Sequence, residues 1–416
     1  MDKLTNYVGQ PIFSQLLSLI DNSSIDLACK EHQANKYSKK LTFKDHLTTM
    51  LYTVFSGCTS LREVQTGLEL CEGKLNHFNL KQVPARSTLS DGNKKRTSKV
   101  FGTLYQKLFE KYKGIISDST MSKDVASKLY ILDSTTISLF KAILKPAGRK
   151  RNDGKSKGGI KVHTLLKADN NMPSFIRFSA AAMHDQQFYQ YITVLPKDSI
   201  ITFDKAYINY EQFEAFNQRD ITYVVPQKDN ASYKHIQELD LLEEEPLILK
   251  DEIIEVKYTI TVESVEVKRT LQLRRIAYYS EKHTTTFIYW TNNLTLAAMQ
   301  VVEIYTYRWK IETFFKKLKQ NFTLNYFLGD NENAIEIQIW CALIALVLVQ
   351  VLHKENEATL AFTVLTAIIR LHLMNYIGLT SIINKYKQKR NRIQKQTPKE
   401  PPKKKVYPHF MPEFQF

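Results

Sequence analysis

Tyr305-Thr306-Tyr307-Arg308-Trp309-Lys310-Ile311-Glu312-Thr313-Phe314-Phe315-Lys316-Lys317-Leu318-Lys319 is the stretch on which the fold and chemistry of this chain turn. On an α-helix each residue advances by about 100°. With Tyr305 at zero, Arg308 falls at about −60°, Glu312 at about −20° and Lys319 at about −40°. The four share one narrow stripe. Ile304, Ile311, Phe315, Leu318 and Phe322 fall between about −80° and −140° and form an apolar face beside it. Such a helix docks by its apolar face and presents a Tyr, an Arg, a Glu and a Lys along the edge. A solitary helical glutamate is ordinarily solvated. One flanked by two cations, next to a core-facing stripe, is placed to hold a metal ion while its neighbours hold phosphates.

Upstream, the pattern is that of a mixed sheet. Leu129-Tyr130-Ile131-Leu132-Asp133 is a short apolar run, strand-like by length and branching. Lys161–Leu166 and Ser174–Phe178 read as the next two strands, Gln187–Leu195 as a helix, and Ser199–Asp204 as a fourth strand. The first and fourth strands each end on an aspartate, Asp133 and Asp204. From about Lys228 to Ser280, Ile253, Val256, Tyr258, Ile260, Val262, Val265, Val267, Leu271 and Leu273 recur with polar residues between them, as in antiparallel strands. Strand signals resume at Thr286–Trp290, and helices dominate from about Leu296 to Tyr386.

Residues 1 to about 125 read as helices. Thr42 is a candidate N-cap with Asp45 three residues on, and Ser60 with Glu63 has capping-box spacing after Gly57. After Pro84, Ser87 is expected to cap a long helix running towards Tyr112, with Lys94, Lys95, Arg96 and Lys99 near its start. Together with Arg86, these are candidate phosphate contacts. Short helices with a basic last member suit a helix-turn-helix-like DNA reader.

A chain of 416 residues has room for two or three domains, and 43% hydrophobic content excludes wholesale disorder. Lys and Arg number 58 against 42 acids, a net of +16. Lys141–Lys161 carries a net +7 and Lys385–Lys405 a net +9, so two segments hold the whole excess. Concentrated basic patches suit a polyanion, because each phosphate contact releases a counterion. The second patch, rich in Pro and Lys, is expected to be a flexible arm. Cys29, Cys58, Cys71 and Cys341 form no CxxC pair, which argues against a zinc site or a disulfide framework. The longest apolar run, Ile339–Val349, is eleven residues, against the ~20 needed to cross a bilayer. With no signal-peptide pattern at the N-terminus, the expectation is a soluble intracellular protein without membrane partners.

Tyr305, Arg308, Glu312 and Lys319 have the spacing of the signature of bacterial insertion-sequence DDE transposases, and the chain resembles that group, insertion-sequence family four. Asp133 in Ile-Leu-Asp-Ser-Thr-Thr is similar to the first catalytic aspartate and Asp204 in Phe-Asp-Lys-Ala-Tyr to the second. Gly159–His163, His184-Asp185 and Trp290–Asn293 also resemble family segments, so the resemblance spans roughly 125 to 330. It implies an α/β fold: an RNase H-like catalytic core over 126–350 with a β-rich insertion at about 228–285. A helical, DNA-end-binding N-terminal domain (1–125) precedes it, and a helical C-terminal region with a basic tail (351–416) follows.

The implied activity is cleavage at element ends and strand transfer into target DNA, by a cut-and-paste route. Both steps are in-line displacements at phosphorus, for which two divalent ions about 3.5–4 Å apart activate the nucleophile and stabilise the leaving oxygen. Mg²⁺ takes hard oxygen ligands, so Asp133, Asp204 and Glu312 are the expected catalytic and metal-binding residues, with Mn²⁺ as a substitute. Tyr305, Arg308 and Lys319 are expected on DNA phosphates, joined by Arg149, Lys150, Arg151, Lys155 and Lys157 from the first basic patch. Trp290 and His163 read as core residues. His184-Asp185 is a further candidate for the site lining. The expected partners are double-stranded DNA, as terminal inverted repeats and target, and a second copy of the chain on paired ends, in the bacterial cytoplasm at the nucleoid. A catalytically idle DNA-binding derivative and a non-transposing RNase H-like nuclease are the competing readings. The intact carboxylates argue against the first, and the full signature stripe and long insertion against the second.

Overall fold

The computed structural model describes residues 9–396, apart from 72, 117–121, 139–148, 151–155, 158, 170–171, 181–194, 263–264, 323, 325 and 357–359. The chain begins with α1 (Ile12–Leu17), α2 (Asn22–Glu31), α3 (Phe43–Ser56), α4 (Leu61–Glu69), α5 (Arg86–Lys95), α6 (Lys99–Ile116) and α7 (Lys123–Lys128). Thr42 caps α3 in a reciprocal capping box with Asp45, as its spacing predicts. Ser60 caps α4 by accepting from the Glu63 N–H, but the Glu63 carboxylate accepts from Thr59 rather than from Ser60.

The long helix expected after Ser87 is two helices. Ala85 stands at the start of α5 with no side-chain cap, and Arg96 is extended (φ −77°, ψ 126°) between α5 and α6. The break has a cause. Arg96 turns inward and is buried, donating to the carbonyls of Ala34 (3.1 Å) and Leu41 (2.6 Å), to Ser38 Oγ (3.0 Å) and to His46 Nδ1 (2.8 Å). Arg96 is therefore not free to contact phosphate.

An arginine can only donate, so His46 Nδ1 accepts from it and Nε2–H donates to Asn93 Oδ1 at 2.7 Å. Burial, and then the Arg96 charge, lower the His46 pKa to about 3. The unfolded chain thus binds a proton that the folded chain refuses. Stability from this group is complete above about pH 6.5 and is lost as pH falls towards about 3. Over that window the wild type is expected to lose up to about 1.4 kcal/mol per pH unit more than His46→Asn. Denaturant titrations of the two at pH 7 and pH 4.5 check this, and parallel losses would remove His46 as the cause.

The sheet follows: β1 (Leu129–Ser138), β2 (Arg149–Lys150), β3 (Ser156–Lys157), β4 (Gly159–Lys167), β5 (Met172–Ala180) and β6 (Ile200–Phe203). After α8 (Tyr210–Gln218) come β7 (Thr222–Pro226), β8 (Lys234–Glu238), β9 (Ile248–Val262), β10 (Val265–Ser280) and β11 (Thr285–Thr291). The helix expected at Gln187–Leu195 lies outside the described residues except for Leu195. Among the described residues, nine strands form one mixed sheet in the order β5-β4-β1-β6-β7-β11-β10-β9-β8, and β2 pairs with β3 apart from it. β1, β4 and β5 are antiparallel neighbours, whereas β6 runs parallel to β1 and β7 parallel to β6. The strands of the expected insertion extend this same sheet, because β11 pairs with β7 at Thr291↔Val224 and with β10 at Arg274↔Thr291.

Alternation along each strand sorts residues to two faces. Leu132, Ile201, Phe203, Tyr223 and Val225 join a core containing α8 residues Phe213 and Phe216. Leu129, Ile131, Ile200 and Val224 face the other way, into a core shared with α9 (Ala298–Tyr307), α10 (Trp309–Asn321) and α11 (Glu332–Glu355). The last helices are α12 (Phe362–Leu371) and α13 (Leu379–Gln396).

Helix α11 joins the two ends of the chain. It packs against α3, α5 and α6 from the first part of the chain and against α10 and α12 from the last. Trp340 sits 5.6 Å from Tyr105 and 5.4 Å from Phe178, and a Cβ on Gly102 would come within 3.0 Å of its ring. By length and composition α11 is apolar enough to cross a membrane. Its burial inside the protein accounts for that apolarity. The boundary expected at 350/351 falls within α11, and the residues of 1–125 share one hydrophobic core with α11 and α12. The basic tail also departs from expectation. Lys385 to Gln396 are the end of α13, whose Leu379 and Ile383 are buried, and 397–416 lie outside the described residues.

Candidate active site

Parallel pairing of β1 and β6 ends at Leu132↔Phe203, so Asp133 and Asp204 are the next residues on adjacent strands. Asp133 is not at a strand end, since β1 continues to Ser138 against β4. Only its pairing with β6 stops there. By alternation from Ile131 and from Thr202, both aspartates lie on the face covered by α9 and α10. Asp133 Oδ1 accepts from the Ser134 N–H at 2.7 Å, and Asp204 Oδ1 accepts from the Ala206 N–H at 2.5 Å as the cap of a short 3₁₀ turn. Each carboxylate is thereby oriented by its own backbone.

Glu312 comes from the signature helix, whose apolar face is buried as the spacing predicts: Ile304, Ile311, Phe315, Leu318 and Phe322 are all in the core. The helix is not uniform. Arg308 separates α9 from α10, and the N–H groups of Arg308 and Ile311 donate to carbonyls three residues back, each at 3.0 Å. This 3₁₀-like tightening falls within the signature itself. Arg308 is 7% exposed. Its Nη2 meets Glu312 Oε1 at 3.1 Å and its Nη1 lies 3.7 Å from Asp133 Oδ2. The guanidinium that the sequence assigns to phosphate therefore stands between two of the carboxylates, and reaching DNA requires it to leave them. Its Nε is buried with no hydrogen-bond partner among the described residues.

The electrostatics follow from this crowding. Burial pushes the Asp133 carboxyl up to about 7. The Ser134 N–H and Arg308 oppose that shift, and the charges of Asp204 and Glu312 add to it. Burial also raises the Tyr305 phenol, against the pull of Arg308. The Tyr305 ring lies 5.5 Å from the guanidinium and 4.8 Å from Tyr289. Lys319 Nζ donates to the Thr136 carbonyl at 3.1 Å, three residues along β1 from Asp133. Asp133, Glu312, Arg308 and Tyr305 thus meet, Asp204 is near enough to act on Asp133, and Lys319 is tied to β1 three residues beyond it.

The donor set suits a hard divalent cation, being three carboxylates with a buried positive charge among them where a cation would neutralise them. It is not a closed cage: among the described residues no three His, Cys, Asp or Glu side chains are already arranged around one point.

Other expectations divide. Trp290 is fully buried, as a core residue should be, and His163 is buried with Nε2 2.8 Å from Ser179 Oγ. Arg149, Lys150 and Lys157 lie on the small β2–β3 hairpin between β1 and β4, and Arg151, Lys155 and His184-Asp185 lie outside the described residues. Two features escape a reading of the sequence. Trp309 is 59% exposed with the Arg308 guanidinium 5.5 Å from its ring, and its place inside the signature is the available signal. Thr164, opposite Asp133 on β4, and Thr202 on β6 have buried hydroxyls with no hydrogen-bond partner among the described residues, which only the strand register reveals.

Residues 126–348, more than half of the chain, match the family described as "Transposase DDE domain", and residues 8–81 match a "Domain of unknown function (DUF4372)". Similar proteins include "Putative transposase y4zB" of Sinorhizobium fredii, 26% identical over 67% of this chain and 74% of that one. "Probable transposase for insertion sequence element IS5377" of Geobacillus stearothermophilus is 23% identical over 56% of this chain and 60% of its own length. Among solved structures, the piggyBac transposase synaptic complex with hairpin DNA aligns at a TM-score of 0.43 and 9% identity, over 95% of this chain and 87% of that one. Asp133, Asp204 and Glu312 all fall inside the matched stretch, and the chain belongs to the transposase DDE domain family.

Proposed function

We propose that this insertion-sequence transposase cuts DNA at the ends of its element and joins the freed 3′-hydroxyls to target DNA, by a cut-and-paste route, with Asp133, Asp204 and Glu312 as its catalytic residues. The observation that carries the assignment is the gathering of three carboxylates, from β1, the end of β6 and α10, on one face of the sheet, with Arg308 between Asp133 and Glu312. The Tyr305–Arg308–Glu312–Lys319 spacing supports placement in insertion-sequence family four. A homodimer on paired ends, acting in the bacterial cytoplasm at the nucleoid, is the assembly this reading requires. DNA cleavage and strand transfer place the enzyme apart from an idle DNA-binding derivative or a simple nuclease.

Divalent Mg²⁺, with Mn²⁺ as a substitute, supplies activation of the attacking hydroxyl and neutralisation of charge at the phosphate when bound by Asp133, Asp204 and Glu312. The chain's own residues do the rest. The Ser134 and Ala206 N–H groups hold the two aspartates in place. Arg308 offsets part of the carboxylates' negative charge until DNA arrives and then turns to a phosphate beside the cleaved bond, with Tyr305 packed on its guanidinium. Lys319, anchored to β1, presents its ammonium to the strand next to Asp133. Trp309 offers an exposed ring to a base at the cut. A strand-transfer assay with Mg²⁺ on DNA carrying the element's own ends tests the whole reading, and absence of both cleavage and joining would sink it.

The basic patches supply non-specific grip. Lys385, Lys389, Arg390 and Arg392 are exposed on α13, beyond the buried Leu379 and Ile383. Deleting residues 385–416 removes a net +8, ten basic residues against Glu400 and Glu413, and spares those anchors. The chain should fold, bind DNA more weakly, and show a slope of log K against log salt shallower by about 0.9 for each phosphate that the tail neutralises in the full-length chain. An unchanged slope would mean that this segment does not touch DNA.

A further inference from the structure

We infer that the loop between α2 and α3, residues 36–41, is a duplex-DNA backbone clamp in which Lys36, Lys39 and Lys40 take phosphates and Tyr37 packs on the sugar edge. The inference rests on the transposase reading above and adds a binding surface outside the carboxylate site. The loop borders a cavity of about 510 Å³ whose opposite wall is α5, including Thr88, Gly92 and Lys95.

Three observations point to a ligand. The first is charge. Lys36, Lys39 and Lys40 are exposed and, among the described residues, none is within ion-pair distance of an acid, whereas Lys95 across the cavity is paired with Asp91 at 3.1 Å. Three uncompensated ammonium groups within five residues repel one another unless an anion joins them.

The second is Tyr37. It is 90% exposed and sits in the left-handed region (φ 61°), with Gln33 (φ 48°) likewise at the start of the same turn. A bulky residue in that conformation is an outlier that its surroundings must enforce. The Lys36 ammonium lies 5.4 Å from the ring, so aromatic face and cation are displayed together, as a sugar–phosphate backbone requires.

The third is how the loop is held. Arg96 grips it at Ala34, Ser38 and Leu41, and Asn35 Oδ1 accepts from the Phe43 N–H at 2.6 Å. Gly92 lets Leu41 seat against α5, since a Cβ there would lie 2.7 Å from Leu41 Cδ2. A loop with a buried guanidinium as its anchor, and its cations all turned outward, is preorganised for a polyanion. Phosphate contacts position a duplex without reading its sequence, so this surface sets grip and register and leaves base recognition to other residues.

The test uses the full-length chain and two 30-base-pair duplexes, one an element end and one random, in salt titrations. The Lys36→Ala/Lys39→Ala/Lys40→Ala variant should lose affinity for both duplexes by the same factor, and its log–log salt slope should flatten by about 2–3. Tyr37→Ala should weaken binding to both with the slope unchanged, because no charge is removed. All four positions are exposed, and an unchanged Tm shows that each variant is folded. A wild-type slope and affinity in the triple variant would overturn the clamp while leaving the transposase reading standing. Failure of the wild-type chain to bind either duplex would overturn both. Loss confined to the element end would overturn the backbone assignment, since phosphates alone cannot discriminate sequence.

Discussion

Glu312→Gln is expected to reduce cleavage at an element end by about 10³-fold or more, equivalent to about 4 kcal/mol of transition-state stabilisation, while end binding is unchanged. The replacement keeps the shape of the side chain and removes the charge that a hard cation requires. Glu312 is half-buried and pairs with Arg308, which keeps Asp133 as a second acidic neighbour, so the fold is not at risk. The measurement is single-turnover cleavage of end-labelled duplex alongside a binding titration. Cleavage at a near wild-type rate would remove Glu312 from the mechanism. Disappearance of binding together with cleavage would make it a structural residue.

Arg274→Ala is the substitution expected to cost most in stability. Arg274, on β10, is buried against Asp251 on β9, donating from Nε and Nη2 at 2.8 and 2.5 Å, and its Nη1 reaches the Leu296 carbonyl at 2.6 Å. Truncation strands a buried carboxylate and should lower the unfolding free energy by about 3–5 kcal/mol. It also cuts the tie from the β-rich strands to the turn that launches α9, and so loosens the approach to Arg308 and Glu312. Replacing both members of the pair with apolar side chains (Arg274→Met with Asp251→Leu) should recover most of the stability. It should not recover activity, because the Leu296 tether stays broken. An unfolding free energy for Arg274→Ala within about 1 kcal/mol of wild type, on the order of one weak surface pair, would show that the pair is not dry.

How far the sequence can be read differs by element, for physical reasons. Asp133, Asp204 and Glu312 are legible because each sits in a local pattern, two apolar runs and one helical stripe, and local patterns survive in one dimension. Helical arithmetic places Arg308 on the correct side but does not give its direction. Whether an arginine faces solvent or a neighbouring carboxylate depends here on the packing of α10 on β1, a contact across some 175 positions. Arg96 misleads for the same reason: between α5 and α6 it extends a basic run, and its partners lie about 50–60 residues back in the chain. The helix α13 does carry a local signal. Leu379, Ile382, Ile383 and Tyr386 recur at helical spacing and carry the expected helix to about Tyr386, but the Lys- and Pro-rich composition downstream hides its continuation to Gln396. The union of the N-terminal helices with α11 has no local signal at all.

That union has a consequence for synthesis. Helices α3, α5 and α6 leave the ribosome first, yet the apolar surface that completes their core belongs to α11, which ends at Glu355. At about 5–20 residues per second, the delay between finishing α6 and finishing α11 is about 10–50 s. Throughout it the nascent chain carries bare apolar surface around Gly102 and Tyr105, where Trp340 will pack, open to chaperones or to another nascent copy on the same message. A transcript truncated before α11 therefore yields a sticky product instead of a small DNA-binding repressor, and the amount of working enzyme depends on how well the host shields that interval.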